Sequence, residues 1–224
     1  MSSVVFVKWV TCAVDARRRQ PFSTAQQRWA MIADQPGLIG QVGGWSLTGD
    51  AQILALWTDA EAYTSFMGAR HDAVVDAAAQ RGTYRPLTTS TGAVILSVPG
   101  AAASVGAAIG VGTVLRVADC EVHEGRDEHF MEAQRTVWAP GMSAAGVLGG
   151  VFAVPGEHRY LVATWWPDPE AYDRYARDDV PRLRQRADAA ADLRRLSGYV
   201  IMLEPTWQVV GARRSTTTSL DQRR

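Results

Sequence analysis

His71 is the residue in this chain best suited to acid–base chemistry. An imidazole with an ordinary pKa near neutrality can take a proton from a phenol or an enol and give it back. It follows a strongly patterned segment, residues 57–67, and is expected on the helix surface that carries Phe66 and Met67. Asp72 adjoins it, but neighbours on a helix point about 100° apart, so that carboxylate is not a ready-made partner. The competing reading is a surface or capping histidine. Four other carboxylates come in pairs, in the phrase W-x-D-x-E-A-Y. It is written once as Trp57, Asp59, Glu61, Ala62, Tyr63 and again as Trp166, Asp168, Glu170, Ala171, Tyr172. Each Asp stands where a strand should give way to a helix. There its carboxylate can cap free N–H groups, and the Glu in the first turn favours the positive helix end. Capping explains these acids without a catalytic carboxylate pair.

Trp9, Trp45 and Trp57 lie in three expected strands of one small sheet, and Trp138, Trp165, Trp166 and Trp207 add to them. They read either as core or as the walls of a pocket for a flat ligand, with indole N–H groups as donors. Gln41 is a further donor, and Tyr63, Tyr172 and Tyr175 are either core or pocket residues. Lys8, the only lysine in the chain, and Arg116 hold equivalent first-strand positions. A charge within a strand points to solvent or reaches a ligand, and solvent or an ion pair is the expected place for both. Cys12 and Cys120 read as small buried hydrophobes and make neither a disulfide framework nor a zinc site. His123, His129 and His158 are scattered, and no G-x-S-x-G, P-loop, H-E-x-x-H or C-x-x-C motif is present.

The elements that must position these residues repeat. At an offset of 108, Cys12, Val14, Phe22, Ala25 and Gln26 match Cys120, Val122, Phe130, Ala133 and Gln134; at 106, Gly40, Gly43 and Gly44 match Gly146, Gly149 and Gly150; at 109 the W-x-D-x-E-A-Y phrase matches. Such drift is what small loop insertions produce, and it points to a tandem duplication. In the first copy, β-branched and aromatic runs predict strands over 4–14, 38–47, 51–57 and 94–98, with helices over 23–33, capped by Ser23, and 60–80. In the second, strands are expected over 114–122, 147–154, 160–165 and 199–203, with helices over 128–138 and 169–193. The glycines of "GQVGG" read as bulge or close-packing positions.

The order β-α-β-β-α-β, twice over, predicts an α+β protein of two tandem ferredoxin-like units. Each sheet carries helices on one face only, so the two antiparallel sheets are expected to pack face to face as a pseudo-dimeric barrel, with any pocket between them. The expected division is unit 1 over 1–99, a linker over 100–112, unit 2 over 113–210 and a disordered tail over 211–224. Formal net charge is zero, with 23 basic and 23 acidic residues, which argues against a nucleic-acid partner. The weakly polar run from 94 to 115 is broken by Pro99 and by glycines, so no membrane span is expected. The N-terminus has no basic stretch followed by an apolar one, and the expected location is cytoplasmic.

These residues resemble the dimeric α+β barrel superfamily and its antibiotic biosynthesis monooxygenase branch. The first unit is similar to the uncharacterised YdbC-like branch through Lys8, Trp9 and Cys12, through Gly40 to Trp45, through Trp57, Glu61, Ala62, Tyr63, Phe66 and Met67, and through His71-Asp72. The second unit departs from the pattern: Trp45 becomes Val151, Gln41 becomes Val147, and His71 falls near Val180. The resemblance implies a cofactor-independent monooxygenase, or a related oxidation or cyclisation enzyme, acting on an aromatic polyketide-like metabolite of secondary metabolism. It implies no cofactor, a hydrophobic aromatic small molecule as partner, and a monomeric pseudo-dimer or a homodimer. His71 would be the catalytic base, with Trp9, Gln41, Trp45, Trp57, Tyr63, Phe66, Trp166 and Tyr172 around the substrate. The alternatives are a haem-binding or haem-degrading protein and a non-catalytic small-molecule binding module.

Overall fold

A computed structural model describes residues 5–212, the side chains of Pro86 and Leu87 excepted. In the first unit, β1 (Phe6–Ala13) leads to α1 (Arg19–Gln27), which continues as a 3-10 turn to Ile32; β2 (Leu38–Ser46), β3 (Ala51–Trp57), α2 (Ala60–Ala69), α3 (His71–Ala77) and β4 (Arg85–Val98) follow. A short α4 (Val105–Val111) leads to the second unit. That unit holds β5 (Val114–Val122), α5 (Asp127–Ala133), α6 (Ala139–Ala144), β6 (Gly149–Gly156), β7 (Arg159–Trp166), α7 (Pro169–Arg174), α8 (Val180–Arg186), α9 (Ala189–Asp192) and β8 (Leu193–Leu203). A two-residue β9 (Val209–Val210) returns to pair with β2 at Gly40 and Gln41.

The strand order is β4-β1-β3-β2 in the first unit and β8-β5-β7-β6 in the second. The junctions β4–β6 and β2–β8 join the sheets at both edges, so eight antiparallel strands close into one barrel. Closure leaves no open edge among those eight strands. The units repeat one register: Lys8 lies opposite Ala55 on β3, and Arg116 opposite Thr164 on β7. At the β2–β8 junction, a Cβ on Gly44 would stand 1.9 Å from the Met202 carbonyl oxygen. Only glycine lets the strands approach so closely there. The ladder also slips between Leu38 and Gly40, a bulge of the kind the glycine run suggests.

Strand alternation sets two faces. Val7 and Trp9 of β1, Leu115 and Val117 of β5, and Trp165 of β7 point into the barrel, where they pack with Leu54, Leu56 and Ile201. Ile109 of α4 plugs the barrel against Gly40. The space between the sheets, expected to hold the pocket, is therefore filled by large side chains. The other face of each sheet carries that unit's helices.

Several local expectations change. Ser23 does not cap a helix: α1 begins at Arg19, and Ser23 Oγ accepts a hydrogen bond from Trp207 Nε1 at 3.0 Å. The single helix expected over 60–80 is two, parted at Arg70 with φ −130°. Gly68 weakens the end of α2, and the Arg70 guanidinium donates to Gln35 Oε1 at 3.0 Å. The helix expected over 169–193 is interrupted by a π-helical turn at Tyr175–Asp179, by Pro181, and by Asp188 in the left-handed region at φ 45°. The two caps stand as expected. Asp59 Oδ1 accepts from Ala62 N at 2.8 Å, and Asp168 Oδ1 from Ala171 N at 2.7 Å. The tail expected over 211–224 lies outside the described residues from 213 onward. Gly211 N donates to Ile39 O at 3.1 Å and Ala212 N to Ala33 O at 2.8 Å.

Candidate active site

The outward-facing residues of β1 are Lys8, Val10 and Cys12, and α1, α2 and α3 pack over them. Between this sheet face and the helices lies a cavity of about 230 Å³. A cavity of ~150 Å³ lined by apolar side chains holds benzene, so this one is sized for a molecule of one or two rings. Trp29, Tyr63 and Met67 form much of its apolar wall, and Lys8, Gln26, Gln41 and His71 supply polar groups. Trp29 is fixed by its indole N–H, which donates to Gln80 Oε1 at 2.7 Å.

His71 opens α3. Its ring lies 5.8 Å from that of Trp29 and 6.0 Å from that of Phe66, with the side chain 21% exposed. Nδ1 stands 3.0 Å from Asp72 Oδ1, so the neighbouring carboxylate is a partner after all. Both residues stand in the first turn of α3, directly after the break at Arg70. An ionised Asp72 accepts the Nδ1 proton and leaves Nε2 as the basic nitrogen. Burial pushes the His71 pKa below its ordinary 6.5, more strongly than Asp72 raises it, so the ring is neutral at pH 7.

Gln41, on β2, is 5% exposed, and its Nε2 has no hydrogen-bond partner; Gln26, on α1, is 3% exposed, and its Oε1 has none. Leaving a buried polar atom unpaired costs about 1–3 kcal/mol, which a ligand in the cavity would recover. Lys8 also faces this cavity, half-buried, and among the described residues no carboxylate pairs with it. Its Nζ lies 3.6 Å from Met67 Sδ and 5.8 Å from the centre of the Tyr63 ring. Burial lowers its pKa from 10.5 to about 8. Cys12 is buried and its thiol is pushed up to about 12, chiefly by burial, so it behaves as a hydrophobe. Burial likewise raises the Tyr63 hydroxyl.

The structure gathers His71, Gln41 and Tyr63 around one cavity and disperses the other candidates. Trp9 points into the barrel, where its N–H donates to Gln52 Oε1 at 2.8 Å. Trp45 packs against Trp207 with ring centres 5.2 Å apart, under the Arg19 guanidinium. Trp57 and Phe66 stack at 5.0 Å behind the cavity wall. Trp166 and Tyr172 belong to the second unit's core, 5.9 Å apart. The residues missed were Lys8, Gln26, Trp29 and Gln80. Period-2 spacing puts Lys8 on the same strand face as Cys12, a signal that could have found it; nothing in the local sequence marked the other three.

The second unit has a smaller counterpart, about 120 Å³, lined by Arg116, Cys120, Gln134, Trp138, Tyr175 and Val180 among others. No histidine lines it. His129 Nδ1 is held 2.8 Å from Asp192 Oδ2, and His158 Nδ1 2.7 Å from Asp127 Oδ2. Of the two cavities, the first offers an imidazole, His71, as a candidate haem ligand, and the second offers none.

The closed barrel of two β-α-β-β-α-β units, with its cavities between sheet and helices, has the fold of monooxygenase-like ferredoxin-fold proteins. A candidate monooxygenase of Fusobacterium nucleatum superposes with a TM-score of 0.72 at 11% identity, covering 91% of this chain and 94% of that one. An anthrone oxidase-like protein superposes with a TM-score of 0.61 at 10% identity, over 90% and 92% of the two chains. By sequence, a domain family of unknown function, DUF4937, matches residues 6–91. The uncharacterized protein YdbC of Bacillus subtilis is 36% identical over 76 residues, which is 32% of this chain and 64% of YdbC. The sequence matches thus cover the first unit, where His71, Gln41 and Lys8 lie. The structural ones establish the fold and leave the reaction open. Among the described residues, no helix is long and apolar enough to cross a membrane.

Proposed function

We propose that the first-unit cavity binds a phenol or enol of one or two rings and oxidises it with O2 without a cofactor. The observation that carries this is a neutral imidazole, oriented by Asp72, on the wall of a ligand-sized cavity that also holds an unpaired amide donor. His71 Nε2 takes the acidic proton, and Gln41 Nε2–H donates to the oxygen that gains charge. The electron-rich carbon adds O2, and the peroxide takes the proton back from His71. For a substrate with a doubly benzylic methylene, the hydroperoxide then loses water to leave a ketone, so that R2CH2 and O2 become R2CO and H2O. The likeness to an anthrone oxidase-like fold supports this reading. The cavity size favours smaller substrates than large polycyclic polyketides.

The test is O2 uptake and carbonyl formation with naphthol-type and hydroxydiphenylmethane-type compounds, in wild type and His71→Ala. Turnover that the substitution abolishes supports the reading. Binding without turnover by wild type, or full turnover by His71→Ala, overturns it, and the former favours a binding module.

A further inference from the structure

We infer that Lys8 is the anion-holding group of the first-unit cavity, its ammonium receiving the phenolate or enolate oxygen of the bound molecule. The inference takes its site from the proposed function and adds the charge state of the ligand: an acidic hydroxyl compound bound as its anion.

Four observations carry it. Lys8 lies on the helix-covered face of β1 and lines the cavity there, half-buried. Among the described residues it has no carboxylate within ion-pair distance; its Nζ contacts are a thioether and a tyrosine ring. The titratable groups around it are Cys12 on its own strand, Tyr63 on α2, His71 on α3 and Tyr84 just before β4. All four are uncharged at neutral pH, the thiol and hydroxyls because burial raises them and the imidazole because burial lowers it. Lastly, Gln41 presents an unpaired N–H to the same cavity, beside a charged donor whose side-chain acceptor is the weak Met67 thioether. A buried cation without a counter-charge is costly, and an anionic ligand supplies that charge. Snorkelling of the amine to water is the ordinary alternative, but Nζ against Met67 is not directed outward. The equivalent Arg116 likewise has no carboxylate partner among the described residues and lines the second cavity.

The experiment is an absorbance titration with 4-nitrophenol, whose phenolate is yellow and whose phenol is not. It is run at a pH below the probe's own pKa. Wild type is expected to bind the probe with the phenolate band present. Lys8→Met, which keeps the length of the side chain, is expected to lose the band and bind the phenolate about tenfold more weakly or worse, a change of ~1.4 kcal/mol per decade. Lys8→Arg should retain the band. Should Lys8→Met fail to fold, Lys8→Gln carries the same readout. Absence of binding, a colourless bound probe in wild type, or a full band in Lys8→Met or Lys8→Gln overturns the inference. The readout needs no oxygen. A phenolate band without oxidation of any phenol leaves this inference standing and removes the oxygenase reading; oxidation with a colourless bound probe does the reverse.

Discussion

Between sheet and helices the first unit encloses about 230 Å³ and the second about 120 Å³, at the same place in the same fold. Some wall residues correspond: Cys12 with Cys120, Gln26 with Gln134, and the cations Lys8 and Arg116. Others part company. His71 gives way to Val180, and Gln41 to Val147. Phe66, behind the first wall, is replaced by Tyr175, which stacks 4.6 Å from Trp166 and stands in the second cavity. The amine that burial can discharge is replaced by a guanidinium that stays charged. The two units thus build similar supports, and among the described residues the first alone combines an imidazole, a carboxylate beside it and an unpaired amide.

Removing the base tests that contrast most severely. His71→Ala should lower turnover by about 10²-fold or more, whereas Val180→Ala should leave it unchanged, measured by O2 uptake. Equal effects would erase the difference between the cavities. Next is stability. The folded-state pKa of Lys8 lies below its unfolded value, so the unfolded chain binds more protons between about pH 8 and 10.5 and stability rises with pH across that window. Below it the penalty is fully present. Lys8→Met should therefore unfold harder at pH 7, by at most about 3.5 kcal/mol at ~1.4 kcal/mol per pKa unit, in denaturant titrations. The same group shapes the rate. Activity should rise as His71 loses its proton below pH 6.5 and fall as Lys8 loses its own near pH 8, a bell read from kcat/KM.

Asp72→Asn should cost about tenfold in kcat by freeing the ring and its tautomer. It should also move the acid limb to lower pH, because the carboxylate raises the His71 pKa. The smallest effects belong to what the units share. Asp59→Ala and Asp168→Ala should each destabilise by about 1 kcal/mol in thermal melts, through loss of one cap bond. A much larger loss of activity from Asp59→Ala than from Asp168→Ala would show that the first cap also positions the base.

Much of this was legible in the sequence because it is local. The doubled phrase marked two helix starts, and both aspartates cap them. Period-2 spacing separated Trp9 from Lys8 by face, although the sequence could not say which face was open. The residues 88–91, "TTST", read as loop but lie in β4, because backbone pairing with β1 does not require apolar side chains. The tryptophans misled for a related reason. Their type fits a pocket wall or a core, and Trp9, Trp45, Trp57 and Trp166 were each taken by core packing.

The sequence alone determined the two-unit plan, the alternating faces of each strand, the caps, and the asymmetry that leaves His71 and Gln41 to the first unit. These follow from neighbours a few residues apart. The tertiary structure decided that the barrel interior is full and that the open space lies under the helices. It also decided that His71 meets Asp72, and that Lys8 meets no carboxylate among the described residues. Each of these depends on what distant segments leave unfilled once they pack, and a cavity or a missing counter-charge is a property of that packing and of no single stretch of chain.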